Sequence, residues 1–316
     1  MELLKYILGR LGRAMISLFL VAVIVFLLMR LLPVDTYFGD RKDKMSDETK
    51  QAILQDLGLL DPLHVQLINY FKDLLHGDLG KSITYYAGKP VWTVIQPKIS
   101  YSLRFGAASL VLSLVLGIGM GILMVRTRGK LPDILGNSFI MAINAVPAAV
   151  YYLFLQFLGT KALNIGMIYK EGQILTCILP VISMSLGGIA SYAMWTRRYM
   201  MDQINSDYVK LARAKGLNDK QIMVRHVLRN AFAPMAQNLP LSIIFTISGS
   251  LYVESLYSIP GMGSLLINAI KAQDNPLVQC LVMFYAILSV VGMLLGDLAM
   301  MVCDPRITLT KKGGRR

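Results

Sequence analysis

Long uncharged runs of apolar residues divide the chain into segments that can cross a membrane. The first run covers residues 14–29, and Leu31 and Leu32 complete it while the charged end of Arg30 reaches the membrane surface. Five further runs, each longer than 20 residues, cover 105–125, 134–160, 172–196, 230–253 and 275–296. About 20 helical residues cross the hydrocarbon core of a bilayer. The pattern therefore predicts an all-α integral membrane protein with six transmembrane helices.

The first run also fits the apolar core of a secretory signal peptide, because basic residues precede it. No cleavage site made of small residues follows it before Pro33 and Asp35. We therefore interpret this run as a retained first helix, and the chain as four regions. These are an N-terminal region with the first helix, 1–32, an external segment, 33–100, a membrane core, 101–302, and a basic tail, 303–316.

The composition excludes a water-soluble enzyme. Hydrophobic residues make up 55% of the chain and charged residues 16%, whereas soluble domains carry about 25% charged residues. The net charge of +13 would point to nucleic acid in a soluble protein. Here the positions of the basic residues explain it without that partner.

Basic residues are concentrated on one side of the predicted helices. The short segments of the other side hold only Lys161, Lys170 and Lys271. Cytoplasmic segments carry the excess of lysine and arginine, so we expect both termini in the cytoplasm and the spans in contact with lipid. The 19 basic residues of the cytoplasmic side are Lys5, Arg10, Arg13, Arg126, Arg128, Lys130, Arg197, Arg198, Lys210, Arg213, Lys215, Lys220, Arg225, Arg229, Arg306, Lys311, Lys312, Arg315 and Arg316.

The external segment contains signals for two short helices. Ser46 can cap a helix over 47–57 that ends at Gly58, and a second helix over 62–76 ends at Gly77. The second helix is amphipathic, and it can lie on the membrane or on the chain's own spans, or offer a docking surface to an external partner. Its predicted apolar face consists of Leu63, Leu67, Tyr70, Leu74 and Leu75.

The chain shows no motif of a catalytic or metal site. Residues 75–82, LHGDLGKS, end like a phosphate-binding loop, but Leu75 stands where that loop needs its first glycine. Because no apolar strand precedes it and the topology places it outside, we expect no ATP binding here. Cys177 and Cys280 lie in apolar runs and Cys303 closes the last one, which indicates no disulfide framework.

Small residues and prolines within the runs predict how the helices pack. Gly117 with Gly121 and Gly292 with Gly296 form two GxxxG pairs, which allow close helix contacts within or between subunits. Glycine is also common in membrane helices, so either interpretation stays open. Three prolines, Pro147, Pro180 and Pro240, are expected to kink the third, fourth and fifth helices.

The basic loop 197–233 contains a compact pair of helices. Ser206 or Asp207 can cap a short helix that ends at Lys215, and Gly216 can adopt the left-handed conformation of a helix terminus. Asn218 with Gln221 then starts a second helix. Such a pair suits the transmission of motion from a soluble partner, although a solvated loop is the alternative.

Within this loop, DYVKLARAKGLNDKQIMVRHVLRNAFAP resembles the conserved cytoplasmic loop of permeases in binding-protein-dependent ATP-binding-cassette importers. Ala212, Gly216 and Leu228 match the general pattern, and the remainder resembles the oligopeptide, dipeptide and nickel branch. The segments LGLLDPLHVQLINYFKDLLHGDLGKS, SLYSIPGMGSLLINAIKAQDNP and CDPRITLT resemble the same branch in the same order.

The resemblance implies a type I importer permease fold in a prokaryotic plasma membrane and no catalytic residue in this chain. It implies a second homologous permease, two cytoplasmic ATPases that bind ATP and Mg²⁺, and an external solute-binding protein. The loop around Gly216 would be the coupling helix that sits on an ATPase. Its implied residues are Asp207, Tyr208, Ala212, Arg213, Ala214, Lys215, Gly216, Leu217, Arg225, His226, Arg229 and Asn230.

The substrate is less determined than the transporter class. Peptides are the favoured substrate, and nickel or a metal chelate is the alternative substrate. A secondary transporter is the alternative from another class of protein. A secondary transporter needs acids near mid-membrane, whereas Asp297 lies near a helix end. Small polar side chains are the candidates for the path: Asn144, Tyr151, Gln156, Ser183, Ser185 and Asn238.

Overall fold

The computed structural model describes residues 2–38, 45–236, 239–248 and 250–303, and within them the protein is helical. The tail from residue 304 and the path candidate Asn238 lie outside the described residues. The π-helix Ile222–Leu228 joins α9 to α10. The helices are α1 Glu2–Arg30, α2 Asp47–Asp56, α3 Leu63–Leu75, α4 Val91–Arg126, α5 Leu131–Ala145, α6 Ala148–Leu163, α7 Ile178–Ile204, α8 Asp207–Ala214, α9 Asp219–Gln221, α10 Arg229–Ala236, α11 Leu239–Ser248, α12 Leu251–Leu256, α13 Met262–Lys271 and α14 Asn275–Cys303.

Four stretches of the described chain are long and apolar enough to cross a membrane as single helical units: Leu8–Arg30, Val91–Arg126, Ile174–Ile204 and Asn275–Ala299. The predicted third span is instead the pair α5 and α6, bent by 109° at Val146 and Pro147. The predicted fifth span, 230–253, is divided among α10, α11 and α12. Sequence runs therefore located the apolar segments but not their internal breaks.

Two helix ends differ from the prediction. Helix α1 ends at Arg30, so Leu31 and Leu32 do not extend the first span. Helix α4 begins at Val91, well before residue 105 and inside the region assigned to the external segment. Val91 and Ile95 are fully buried in a cluster with α13 and α14, and this packing stabilises the early turns despite Pro97.

Helices α4 and α7 run parallel, in contact through glycines. A Cβ atom on Gly117 would lie 2.7 Å from the Tyr192 Cβ, and one on Gly121 would lie 2.6 Å from the Thr196 Cβ. Residue 117 therefore faces residue 192, and residue 121 faces residue 196. Because residue numbers increase in the same direction along both helices, the helices are parallel. The first GxxxG pair forms a contact within the chain, where only glycine leaves enough room.

The bent pair α5–α6 connects the end of α4 to the start of α7. Asp133, in the first turn of α5, binds Arg197 near the end of α7, whereas Gly159 in α6 lies against Leu179 at the start of α7. The pair therefore extends along α7 from one end to the other. Pro147 forms the N-cap of α6, so its effect is a complete break rather than the predicted kink.

The chain from α10 to α12 runs antiparallel to α7. Thr196 contacts the Met235 sulfur at 3.7 Å, the Tyr192 hydroxyl donates to Ser242 at 3.0 Å, and Ser183 bonds the Tyr257 hydroxyl at 3.0 Å. In these three contacts the residue numbers rise along the chain from α10 to α12 and fall along α7. This divided segment thus runs beside α7 from Thr196 to Ser183.

Pro180 and Pro240 lie in the first turns of α7 and α11 rather than in helix interiors. Pro180 is the third residue of α7, and Pro240 is the second residue of α11. Proline is tolerated in a first turn, because its missing N–H would have no partner there.

Helices α1 and α14 are joined near one end by an ion pair between Arg10 and Asp297, at 2.5 Å. Gly292 of α14 lies against α11, where an added Cβ would come within 2.7 Å of the Leu241 Cδ1. Gly296 is also buried. At their opposite ends, Arg30 of α1 and Asn275 of α14 lie near residues 57–80 of the external segment.

The two short helices predicted in this segment are present as α2 and α3. The Ser46 hydroxyl accepts from the Thr49 N–H, and Gly58 and Gly77 have φ angles of 64° and 75°. Helix α3 packs on α1, because the Phe71 ring stacks on Phe19 at 5.1 Å. The chain's own first span thus contacts α3 through Tyr70 and Phe71.

The predicted face of α3 was wrong at two positions. Leu63 is 50% exposed and Leu75 is 85% exposed. Leu75 follows Leu74 directly, and consecutive helical residues point about 100° apart, so both cannot face α1. The aromatic rings of Tyr70 and Phe71 form the contact with α1 instead.

The last residue of the segment that resembles a phosphate-binding loop, Ser82, and the three residues after it surround a carboxylate of the chain itself. Asp274 is fully buried and accepts hydrogen bonds from the Ser82 hydroxyl and from the N–H groups of Thr84 and Tyr85, at 3.1 and 2.9 Å. Its second oxygen accepts from the Ile83 N–H at 3.2 Å. A cluster of N–H groups that could bind an anion thus joins the segment to the start of α14.

Candidate functional site

The loop 197–233 folds as two helices around a glycine turn. Ser206 occupies the N-cap position of α8 without a side-chain cap bond, and α8 ends at Ala214. Gly216 has a φ of 80° with open space around its α-carbon. Asn218 and Gln221 form a capping box, with the Gln221 N–H donating to the Asn218 Oδ1 at 2.8 Å. The cap at Asn218 and the left-handed turn follow the prediction.

An apolar base fixes this helix pair to the spans. Val209, Ala212, Ile222 and Val227 are buried together with Met200 of α7. Val125 of α4 closes the same cluster. The cluster therefore places α8 and the π-helix in direct contact with the ends of α4 and α7.

The opposite side of the pair is exposed and basic. Ala212 is buried beneath it, while Tyr208, Leu217 and His226 are half-buried. Leu211 and Val224 add exposed apolar side chains, which no sequence motif marks. The predicted coupling residues on the exposed side are Asp207, Arg213, Ala214, Lys215, Gly216, Arg225, Arg229 and Asn230.

Arg197, the first residue of the loop, forms an ion pair with Asp133 that sequence reasoning missed. The Arg197 Nε donates to the Asp133 Oδ1 at 2.7 Å, and its Nη2 donates to the Oδ2 at 3.1 Å. The Gly129 N–H and the Asn137 amide also donate to this carboxylate. The pair connects the start of α5 to the start of the loop.

The path candidates fall into two groups. Asn144 is exposed and Tyr151 half-buried, on either side of the break at Pro147. Gln156, Ser183 and Ser185 are buried.

The buried candidates are hydrogen-bonded within the chain. The Gln156 amide donates to the carbonyls of Met167 and Leu256, at 2.9 and 3.0 Å, and Ser185 donates to Ile182 at 2.8 Å. Ser183 bonds Tyr257. Gln156 and Ser183 thus connect α6 and α7 to other segments of the chain, whereas the Ser185 bond lies within α7.

A buried carboxylate organises the IPGMG turn. Glu254 is fully buried and accepts from the Ser102 hydroxyl at 2.7 Å and from the Gly263 N–H at 2.8 Å. The Ser102 hydroxyl in turn accepts from the Met262 N–H at 2.7 Å. Glu254 ties α12 and α13 to α4, and no local sequence signal marks this long-range contact.

Comparison with known families gives a match along nearly the whole chain. The family "Binding-protein-dependent transport system inner membrane component" matches residues 113–309. The N-terminal region of the same kind of membrane component matches residues 3–101.

Individual relatives agree with these matches. The dipeptide transport system permease protein DppB of Lactococcus lactis subsp. cremoris is 32% identical over 97% of this chain and 100% of its own length. The oligopeptide transport system permease protein OppB of Salmonella typhimurium is 31% identical over 96% of this chain and 99% of its own. An inward-facing structure of the MetNI methionine ABC transporter is similar in fold, with a TM-score of 0.50 and 15% identity over 69% of this chain and 99% of that one.

Proposed function

Because the chain belongs to the family of inner membrane components of binding-protein-dependent transport systems, and is a permease subunit of an ABC importer, we propose that its cargo is a peptide. The full-length similarity to permeases named for dipeptide and oligopeptide transport carries this proposal. In it, the chain forms half of the path, a homologous permease forms the other half, and an external solute-binding protein delivers the substrate.

The proposal includes six crossings of the plasma membrane. The parallel arrangement of α4 and α7 supports it, because the α5–α6 pair must return the chain along the length of α7 between them. The antiparallel course of α10 to α12 beside α7 supports a fifth crossing. With α1 and α14, these segments make six.

In this proposal the loop 197–233 and both termini lie in the cytoplasm. The concentration of basic residues in the loop supports that orientation. The exposed side of α8 and α9 would then contact an ATPase, and the apolar base of the pair would carry ATPase movements to α4 and α7. ATP and Mg²⁺ would be bound by the ATPases, and this chain would supply the path and the coupling element.

Reconstitution tests the proposal. The chain would be incorporated into liposomes with its second permease, both ATPases and the binding protein, and uptake of radiolabelled tri-alanine would be measured with and without ATP. We expect ATP-dependent uptake that fails when this chain is omitted. Uptake of nickel or a nickel chelate without peptide uptake would refute the peptide assignment, and uptake driven by an ion gradient without ATP would refute ATP coupling.

A further inference from the structure

A polar cavity of about 380 Å³ opens where the segment 82–85 meets α4, the 255–260 turn and α13. Its lining includes Tyr85, Lys98, Ser255, Ser258, Asn268 and Lys271. Ligand pockets of small molecules begin at roughly 300 Å³, so this cavity can hold a short peptide end. It lies at the end of the bundle away from the loop 197–233.

The charge of the cavity lining is positive. Lys98 on α4 and Lys271 at the end of α13 are its only ionisable side chains besides Tyr85. Neither ammonium forms an ion pair within the described part of the chain. Two cations that share a concave site attract an anionic group, and a hydrogen bond to a charged group is stronger than one between neutral groups.

The nearby acids are engaged elsewhere. The Glu254 carboxylate accepts from Ser102 and from the backbone at 250, 263 and 264. The Asp274 carboxylate is surrounded by Ser82 and the N–H groups that follow it. Both carboxylates are buried outside the cavity and contribute negative charge near it, but neither is part of its lining.

The neutral lining residues supply further donors. The side chains of Ser255, Ser258 and Asn268 make no hydrogen bond among the residues that the structure describes. Two hydroxyls and one amide thus stand beside the two ammonium groups. This set of donors suits a carboxylate, whose two oxygens accept several hydrogen bonds.

The cavity walls are held in place from behind. The Tyr85 N–H is bound by Asp274 at 2.9 Å. The turn at Ser258, with a φ of 55°, is fixed by the bond between Ser183 and Tyr257 and by the bond from Gln156 to the Leu256 carbonyl. A site formed before the ligand arrives loses less entropy on binding.

We propose that this cavity binds the C-terminal carboxylate of the peptide as it enters the permease, through Lys98 and Lys271. Every unmodified peptide has this group, so a site for it accepts peptides of any sequence. The inference rests on the proposed function for the identity of its ligand. It assigns one end of the substrate to a place on this chain.

The first test compares tri-alanine with tri-alanine amide in the reconstituted importer at saturating binding protein. We expect Lys98→Gln and Lys271→Gln each to lower import of the free acid relative to the amide about tenfold, the size of one charged hydrogen bond. Lys98→Arg should retain most of the preference, and Lys161→Gln, an exposed lysine of α6, should leave it unchanged. Equal losses for both peptides, or no loss, would overturn the inference.

The same assay distinguishes the proposed carboxylate site from a contact between these two lysines and the binding protein. If the lysines met acidic residues of that protein, the variants would raise the concentration of binding protein needed for half-maximal ATPase stimulation, equally for both peptides. That outcome would also overturn the inference.

A second test does not depend on transport. In the purified complex, acylation of Lys98 and Lys271 by an amine-reactive reagent would be followed by mass spectrometry with tri-alanine or its amide present. We expect protection of both lysines by the free acid only, whereas equal or absent protection contradicts the site. Protection without peptide import by the wild type would refute the proposed function and leave the carboxylate site standing.

Discussion

Asp133 and Arg197 form a two-bond ion pair that joins the first turn of α5 to the end of α7. The Asp133 side chain is 6% exposed and that of Arg197 is 28% exposed. Removal of one partner leaves a buried charge without its counterion, which costs more than the pair contributes. This contact lies between the bent span and the start of the loop 197–233.

Loss of either partner is expected to destabilise the protein. Asp133→Asn and Arg197→Gln should each lower the free energy of unfolding by about 3 kcal/mol, and the double variant should lose less than the sum of the two. Thermal unfolding of the purified chain in detergent measures this. Asp207→Asn, which removes the exposed Lys210 pair, is the control and should change stability little. Additive losses would show that the two side chains do not interact.

Gly216→Val is expected to impair coupling while the spans remain folded. A β-branched residue is strongly disfavoured at a φ of 80°, and the strain of about 1–3 kcal/mol would reorient the turn between α8 and α9. Binding to the ATPases and substrate-stimulated ATP hydrolysis should fall.

The controls are Gly216→Asn and Lys220→Ala. Asparagine tolerates the left-handed region, and the Lys220 side chain is exposed on α9, so both variants should retain coupling. Normal ATPase binding and transport by Gly216→Val would show that this loop is only a connection.

Gly121 and Gly119 offer a matched pair in one helix. A Cβ on Gly121 would lie 2.8 Å from the Ala193 carbonyl oxygen, whereas one on Gly119 meets nothing within 4 Å. Gly121→Ala should separate α4 from α7 and cost about 1–3 kcal/mol. Gly119→Ala should have almost no effect on the melting temperature in detergent, and equal effects of the two changes would contradict the helix contact.

Accessibility to a membrane-impermeant thiol reagent tests the proposed orientation. In a chain without its native cysteines, single cysteines at the exposed positions Glu48 and Asn218 would be labelled in intact cells. We expect reaction at 48 and protection at 218 until the membrane is opened. The reverse pattern would invert the topology and remove the loop 197–233 from contact with cytoplasmic ATPases.

The sequence predicted local features far better than distant contacts. The cap at Asn218, the turn at Gly216 and the change of direction at Pro147 depend on residues within one or two turns of each other, and their chemistry is visible in the sequence. The sequence did not show how strongly each proline would change the direction of its helix. Pro147 lies at a 109° bend between two helices, whereas Pro180 lies in the first turn of α7.

Contacts between remote positions could not be predicted from periodicity. Asp133 and Arg197 are 64 residues apart, and Ser102 and Glu254 are 152 residues apart. Gln156 and Ser183 were expected on the path because they are polar, yet both bond neighbouring segments. A polar residue in an apolar run predicts a hydrogen bond, and only the fold identifies its partner.

The partnership between Asp274 and Ser82 also sets an order of events during biosynthesis. Asp274 is synthesised 192 residues after Ser82, so the loop at 82–85 emerges from the ribosome long before the carboxylate that organises it. That loop must remain without its hydrogen bonds to Asp274 while the intervening helices insert into the membrane. Pulse-labelled chains arrested before residue 274 should therefore be cleaved there by protease, and maturation of this loop would mark the arrival of the last helix in the membrane.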